Sequence, residues 1–150
     1  MHGRTRSVHR RCAQAKERTL ALVLGYRPLQ KVNDAYGHLF GDRVLRVVAK
    51  MLQSSVKGRD LAARYGGEEF AVLLPATPIK GAVALADAIR DATQKLQFKR
   101  TDKDEMVEGI TISIGVSIYR QNEPLLQFIN RADEALYAAK RAGRNRIAAM

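Results

Sequence analysis

The chain has 150 residues, 46% of them hydrophobic and 27% charged, which suits one soluble globular domain with a sizeable core. A single cysteine, Cys12, excludes an intrachain disulfide framework or a paired-cysteine zinc site and fits a reducing, cytoplasmic setting. The net charge of +11 is concentrated at residues 4–18 and 140–146; with aromatics at 6% and no basic stripe interleaved with stacking residues, a solvated basic surface is expected rather than a nucleic-acid interface. No apolar run approaches the ~20 residues of a membrane span, and the basic residues 1–6 lack the apolar segment of a signal peptide.

Strand and helix patterns alternate along the chain. Residues 20–24 form a continuous apolar run, as expected of a strand buried on both faces. Residues 43–56 predict a helix with Leu45, Val48 and Leu52 on one face, Val44 and Met51 beside them, and Asp42 as its N-cap. Residues 60–63 and 71–75 predict two strands joined by a Gly-Gly turn, with two carboxylates just past it. A second helix is predicted over residues 79–96, with Leu85, Ala86, Ile89 and Leu96 on a stripe, and the charged residues 99–108 read as a loop. Residues 110–118 alternate strictly, with Ile110, Ile112, Ile114, Val116 and Ile118 facing one way and Thr111, Ser113, Gly115 and Ser117 the other. A last helix, residues 124–142, carries Leu125, Ile129, Ala132, Leu136 and Ala139, and Gly143 closes it as the C′ residue. The expected fold is an α/β (α+β) sandwich with a mixed, mostly antiparallel sheet flanked by helices. No repeat, low-complexity tract or interdomain linker interrupts it.

The predicted hairpin reads Arg64-Tyr65-Gly66-Gly67-Glu68-Glu69-Phe70. Glycines take the positive φ angles a tight turn needs and let a ligand approach the backbone. Carboxylates fixed beside bare backbone can hold a divalent cation next to a phosphate. This heptapeptide resembles the signature loop of GGDEF domains in its GGEEF form. Further blocks extend the resemblance from about residue 9 to the end: Lys31-Val32-Asn33-Asp34-Ala35-Tyr36-Gly37-His38 with Gly41-Asp42, Thr111-Ile112-Ser113-Ile114-Gly115-Val116, Arg131-Ala132-Asp133-Glu134-Ala135-Leu136-Tyr137, and Ala139-Lys140-Arg141-Ala142-Gly143-Arg144-Asn145.

The resemblance implies a nucleotidyl-cyclase-like fold and a diguanylate cyclase, which condenses two GTP into cyclic di-GMP and releases pyrophosphate. It implies that Asn33 and Asp42 hydrogen-bond the guanine edge and that Gly66 and Gly67 let GTP approach closely. Glu68 would bind Mg²⁺ (or Mn²⁺) and help activate the attacking 3′-hydroxyl, Glu69 would support the cation, and Lys140 and Arg144 would grip the terminal phosphates. On their residues alone, Asn33 reads as a turn residue, Asp42 as a helix cap, the two glycines as an ordinary hairpin turn and the glutamates as solvated surface; the last basic pair reads as a complement to its own helix dipole. Each domain of this family holds one GTP, so a homodimer is implied at turnover. A sensory or receiver domain usually drives the pairing, and none is present in this chain.

Three departures stand out. Where the family places Asp-Ile-Asp-His-Phe-Lys, with its first Asp a metal ligand, this chain has Gly25-Tyr26-Arg27-Pro28-Leu29-Gln30. Gly25 takes the ligand's place, Arg27 adds positive charge, and Pro28 has no N–H to offer. This segment with Lys31 can be encoded by GGA TAT CGA CCA CTT CAA AAG. Read one base later, the same DNA gives Asp-Ile-Asp-His-Phe-Lys. A compensated frameshift, as a sequencing error or a real lesion, is therefore the favoured account, with ordinary divergence in a domain that no longer catalyses as the alternative. In that alternative the module would bind GTP or a protein partner as a regulator. Secondly, residues 1–8 have no clear counterpart in the family, so residues 9–150 are expected to form one domain lacking its first segment. Thirdly, the family's inhibitory Arg-x-x-Asp reads Lys57-Gly58-Arg59-Asp60. Lysine lacks the planar fork of arginine, and weak feedback inhibition through Lys57 and Asp60 is expected.

Overall fold

A computed structural model of the chain describes residues 20–26, 29–58, 60–64 and 69–150. In chain order the elements are β1 (Leu20–Tyr26), α1 (Leu29–Tyr36), α2 (His38–Ser55), β2 (Leu61–Arg64), β3 (Glu69–Leu74), α3 (Ile79–Gln94), β4 (Phe98–Lys99), β5 (Met106–Val107), β6 (Ile112–Ile118), α4 (Leu125–Arg141) and β7 (Ile147–Ala149). The main sheet has the order β2-β3-β1-β6-β7. Its central strand, β1, pairs antiparallel with β3 and β6, β2 pairs antiparallel with β3, and only β7 joins in parallel, beside β6. This is the expected mixed, mostly antiparallel sheet. The unbroken apolar run in residues 20–24 fits a strand hydrogen-bonded along both edges.

Side-chain alternation divides the core between the two faces of the sheet. Phe70, Val72 and Leu74 of β3 and Ile112, Ile114 and Val116 of β6 pack with Val44, Val48 and Leu52 of α2 and with Ala82, Ala86 and Ile89 of α3. Leu73 points the other way and packs with Phe128, Ala132 and Leu136 of α4. The predicted alternation of β6 is therefore present, but its polar side is as buried as its apolar one. Ser113, Gly115 and Ser117 are small because α4 lies directly on them. A Cβ on Gly115 would come within 2.2 Å of the Ala132 carbonyl oxygen and 2.3 Å of the Leu136 nitrogen. The buried Ser117 hydroxyl is satisfied by donating to the Phe128 carbonyl at 3.1 Å.

Several sequence expectations need correcting. Asp42 is not an N-cap: α2 begins at His38, with Gly37 as its N-cap at φ 89°, and Asp42 lies a turn inside. Glycine at that φ turns the chain sharply from α1 into α2. Asn33 is a helical residue of α1 rather than a turn residue. The charged segment 99–108 is framed by a short antiparallel hairpin, with Phe98 opposite Val107 and Lys99 opposite Met106. Only its tip, from Thr101 to Asp104, is a bend. Gly143 does follow α4 in a positive-φ conformation, at 123°. Residues 9–17, which the family resemblance would make the later part of a first helix, lie outside the described residues.

Candidate active site

Three strand ends define one edge of the sheet, which carries Gly25, Glu69 and Ser113. Gly25, near the end of β1, is paired across the ladder with Glu69 at the start of β3 and with Ser113 near the start of β6. Gly66, Gly67 and Glu68 lie outside the described residues, but the flanking register is fixed by Arg64 opposite Phe70. Residues directly opposite in an antiparallel pair project to the same face. A side chain at position 25 would thus stand beside Glu69, where the family's Asp would meet the signature carboxylates. Glycine leaves that place without a side-chain oxygen. Glu69, with Glu68 outside the described residues, would leave one or two carboxylates at this place, the number Mg²⁺ commonly takes together with substrate phosphates and water.

On the α2 side of this edge, a cavity of about 490 Å³ is lined by Asp42, Leu45, Arg46, Ala49, Arg64 and Phe70. The sequence reading assigned no role to Arg46 or Arg64. Arg46 follows Asp42 by four residues, which places both on one helical face, and Arg64 directly precedes the signature turn. Both signals were present in the spacing. Asn33 sits on the preceding helix with its side-chain oxygen Oδ1 buried and without a hydrogen-bond partner among the described residues. Its backbone carbonyl accepts from the Gly37 N–H at 2.7 Å, tying it to the α1–α2 corner. That corner is braced by the β4–β5 hairpin. Phe40 meets Phe98 edge-on at 6.0 Å, Arg100 stacks on Tyr36 at 5.3 Å, and the Arg43 guanidinium donates to the Lys99 carbonyl.

The cations arrive from the opposite face. α4 crosses β6 with Phe128 at Ser117 and with Ala132 and Leu136 at Gly115. A helix advances about 1.5 Å per residue and a strand about 3.3 Å. Four further helical residues therefore span about the same distance as two strand residues, which brings Lys140 to the level of Ser113, next to Gly25. The chain then turns so that the Arg146 carbonyl accepts from the Ile114 N–H at 3.0 Å, keeping Arg144 at the same edge. Lys140 also opposes the effect of burial on Asp133, whose carboxyl is pushed up from its ordinary value by desolvation. Lys57 and Asp60 lie away from this group. They close a local turn in which the Lys57 N–H donates to an Asp60 carboxylate oxygen at 3.2 Å and the Asp60 N–H donates to the Lys57 carbonyl at 3.0 Å. Arg59 lies outside the described residues.

The mixed sheet β2-β3-β1-β6-β7, flanked by helices on both faces, is that of a nucleotidyl-cyclase-like α/β domain. The family described as "Diguanylate cyclase, GGDEF domain" matches residues 1–146. Diguanylate cyclase VdcA of Vibrio cholerae is 39% identical over 133 residues, covering 89% of this chain and 39% of that protein. Diguanylate cyclase DgcM of Escherichia coli is 40% identical over 137 residues, covering 91% of this chain and 32% of that protein. Among solved structures, the GGDEF domain of DgcB from Caulobacter crescentus, in complex with c-di-GMP, superimposes with a TM-score of 0.91 at 35% identity and covers 97% of this chain and 86% of that one. The chain belongs to the GGDEF domain family, and it spans 39% and 32% of the length of those two curated relatives. Among the described residues no helix is long and apolar enough to cross a membrane.

Proposed function

We propose that this domain is a diguanylate cyclase: two GTP are converted to one cyclic di-GMP and two pyrophosphates. What supports this reading most is the diguanylate cyclase GGDEF family match over residues 1–146, together with Glu69 opposite Gly25 in the ladder and Asp42 lining one cavity with Arg64 and Phe70. The buried Asn33 oxygen is an acceptor awaiting a donor, and the guanine edge offers N–H donors. Asp42 adds a second acceptor from the α2 wall of the cavity. Lys140 and Arg144 neutralise the terminal phosphates as the pyrophosphate leaves. Gly66 and Gly67 give the substrate a close approach to the hairpin backbone.

Glu68 and Glu69 are the groups that would hold a divalent cation. Such an ion, when bound, would screen the phosphates and lower the pKa of the attacking 3′-hydroxyl. Each 3′-hydroxyl displaces pyrophosphate from the α-phosphate of the GTP on a facing copy. The protein's contribution is therefore mostly positioning and charge neutralisation.

The direct test incubates the purified chain with GTP and Mg²⁺ or Mn²⁺ and separates nucleotides by chromatography. Cyclic di-GMP and pyrophosphate in a 1:2 ratio, with no product from ATP, is the expected result. The absence of side-chain oxygen at Gly25 is the one observation favouring a GTP-binding regulator instead. That rival predicts saturable GTP binding with no turnover under either metal. The named relatives, both diguanylate cyclases, favour catalysis.

A further inference from the structure

The five residues between α4 and β7 adopt an unusual conformation. Gly143 has φ 123°, and Arg144 and Asn145 follow at 61° and 48°. Glycine there is ordinary for a helix end, and asparagine tolerates the left-handed region. Arginine enters it uncommonly. Nothing in the core requires an arginine at 144, since the residue is exposed. Its guanidinium makes no hydrogen bond or ion pair among the described residues, so the conformation is not held by its own side chain.

The conformation is held instead through its neighbour. The Asn145 side-chain oxygen accepts from Arg90 Nη1 at 3.2 Å, and its amide nitrogen donates to Gln94 Oε1 at 3.0 Å. Both partners belong to α3, more than fifty residues earlier. They are themselves anchored: Arg90 Nε donates to Asp87 Oδ1 at 2.9 Å, and Gln94 Nε2 donates to Asp91 Oδ1 at 3.0 Å. On the other side of the turn, the Arg144 N–H donates to the Ala139 carbonyl at 3.1 Å. The Arg146 guanidinium donates to the Arg144 carbonyl at 3.1 Å. The backbone of Arg144 is thus held by α4 behind it and by Arg146 ahead, its neighbour Asn145 is tied to α3, and its charge is left outside.

We propose that Arg90 and Gln94, acting through the Asn145 side chain, are positioning residues that aim Arg144 at the terminal phosphates of the bound nucleotide. The inference rests on the reading of Arg144 as a phosphate-binding residue and extends it to a helix that touches no substrate. A residue that only supported the fold would affect every nucleotide alike. A residue that aims Arg144 affects only nucleotides carrying terminal phosphates.

The test measures GTP and GMP binding to the full chain by calorimetry, in Mg²⁺, for the parent and for Arg144→Ala, Asn145→Ala, Arg90→Ala, Gln94→Ala and the Arg90→Ala/Arg144→Ala pair. Arg144→Ala is expected to weaken GTP by about tenfold and leave GMP unchanged, as for loss of a charge-assisted bond. Asn145→Ala and Arg90→Ala should weaken GTP alone, by about three- to tenfold, with Gln94→Ala smaller in the same direction. The double variant should be no worse than Arg144→Ala. Equal weakening of GTP and GMP, unchanged GTP binding in Asn145→Ala and Arg90→Ala, or multiplying effects in the double variant would each overturn the proposal. A parent chain that binds no GTP overturns the nucleotide reading itself, and this inference with it. Gln94→Ala removes the hydrogen bonds to Asn145, Asp91 and Arg90 but no charged group, so it keeps the test open should Arg90→Ala fail to fold.

Discussion

Asn33 Oδ1 is a buried acceptor with no partner among the described residues, and such an atom costs about 1–3 kcal/mol. A fold gains nothing from it; a ligand that donates to it does. Asn33→Ala is therefore expected to leave the melting temperature unchanged or raised while weakening GTP at least tenfold and narrowing the preference for GTP over ATP. A variant that melts several degrees lower and binds GTP normally would make Asn33 a structural residue. Gly25 is the complementary case, a site position with its chemistry removed. Because it stands opposite Glu69, Gly25→Asp places a carboxylate beside the signature acids without disturbing either strand ladder. Roughly tenfold less Mg²⁺ should then support half-maximal cyclic di-GMP synthesis, and an unchanged Mg²⁺ titration would show that position 25 is not a ligand position. At this scale the sequence was most legible, because Asn33, Asp42, Lys140 and Arg144 sit in recognisable motifs. Arg90 and Gln94 were not legible, because their role depends on contact with Asn145 across more than fifty residues.

Among the elements, β6 shows where legibility stopped. Its period of two was plain in the sequence, but serines and a glycine opposite isoleucines read equally well as an open face or as room for a helix. The structure decides for the helix. Gly115→Ala would drive a methyl group into the α4 backbone, which cannot yield as a flexible side chain would, so a loss of about 3 kcal/mol is expected in urea unfolding. A loss below about 0.5 kcal/mol would mean that α4 does not lie on β6 this closely. The same helix is locked at its start by a nearly buried pair. Arg131 binds both carboxylate oxygens of Glu123, at 2.5 and 2.7 Å, and also reaches the Ile118 carbonyl. Arg131 thereby holds the Glu123 carboxyl below its ordinary value. A depressed carboxylate pKa stabilises fully above the unfolded value, near pH 4.3, and the contribution is lost as pH falls through the lowered folded value. Glu123→Gln should cost about 3 kcal/mol at pH 7, because it strands the guanidinium. The gap from the parent should close as the pH is taken below about 4, and a gap constant with pH would rule out the ion pair as its source. α1 and β7 escaped sequence reading for a simpler reason: eight and three residues are too short for periodicity to register.

For the whole molecule, the proposed reaction sets the constraint: one domain would hold one GTP, while the product contains two guanylates. Two copies must therefore face each other, each presenting its GTP to the other's signature hairpin. A net charge of +11 on each copy opposes that approach. Bound GTP lowers the charge of both partners, so substrate should promote pairing, most of all at low salt where repulsion reaches furthest. The arrangement makes a guanine-site variant poisonous rather than merely inactive. Mixed one to one with Asn33→Ala at protein concentrations where all chains pair at random, only one pair in four is parent with parent. Because the total number of pairs has doubled, cyclic di-GMP synthesis should fall to about half that of the parent alone. At concentrations too low for pairing, specific activity should instead rise in proportion to the parent concentration, and the variant should do nothing. Full parental activity in the paired mixture would mean that a single domain completes the reaction on its own GTP, and the two-copy mechanism would have to be abandoned.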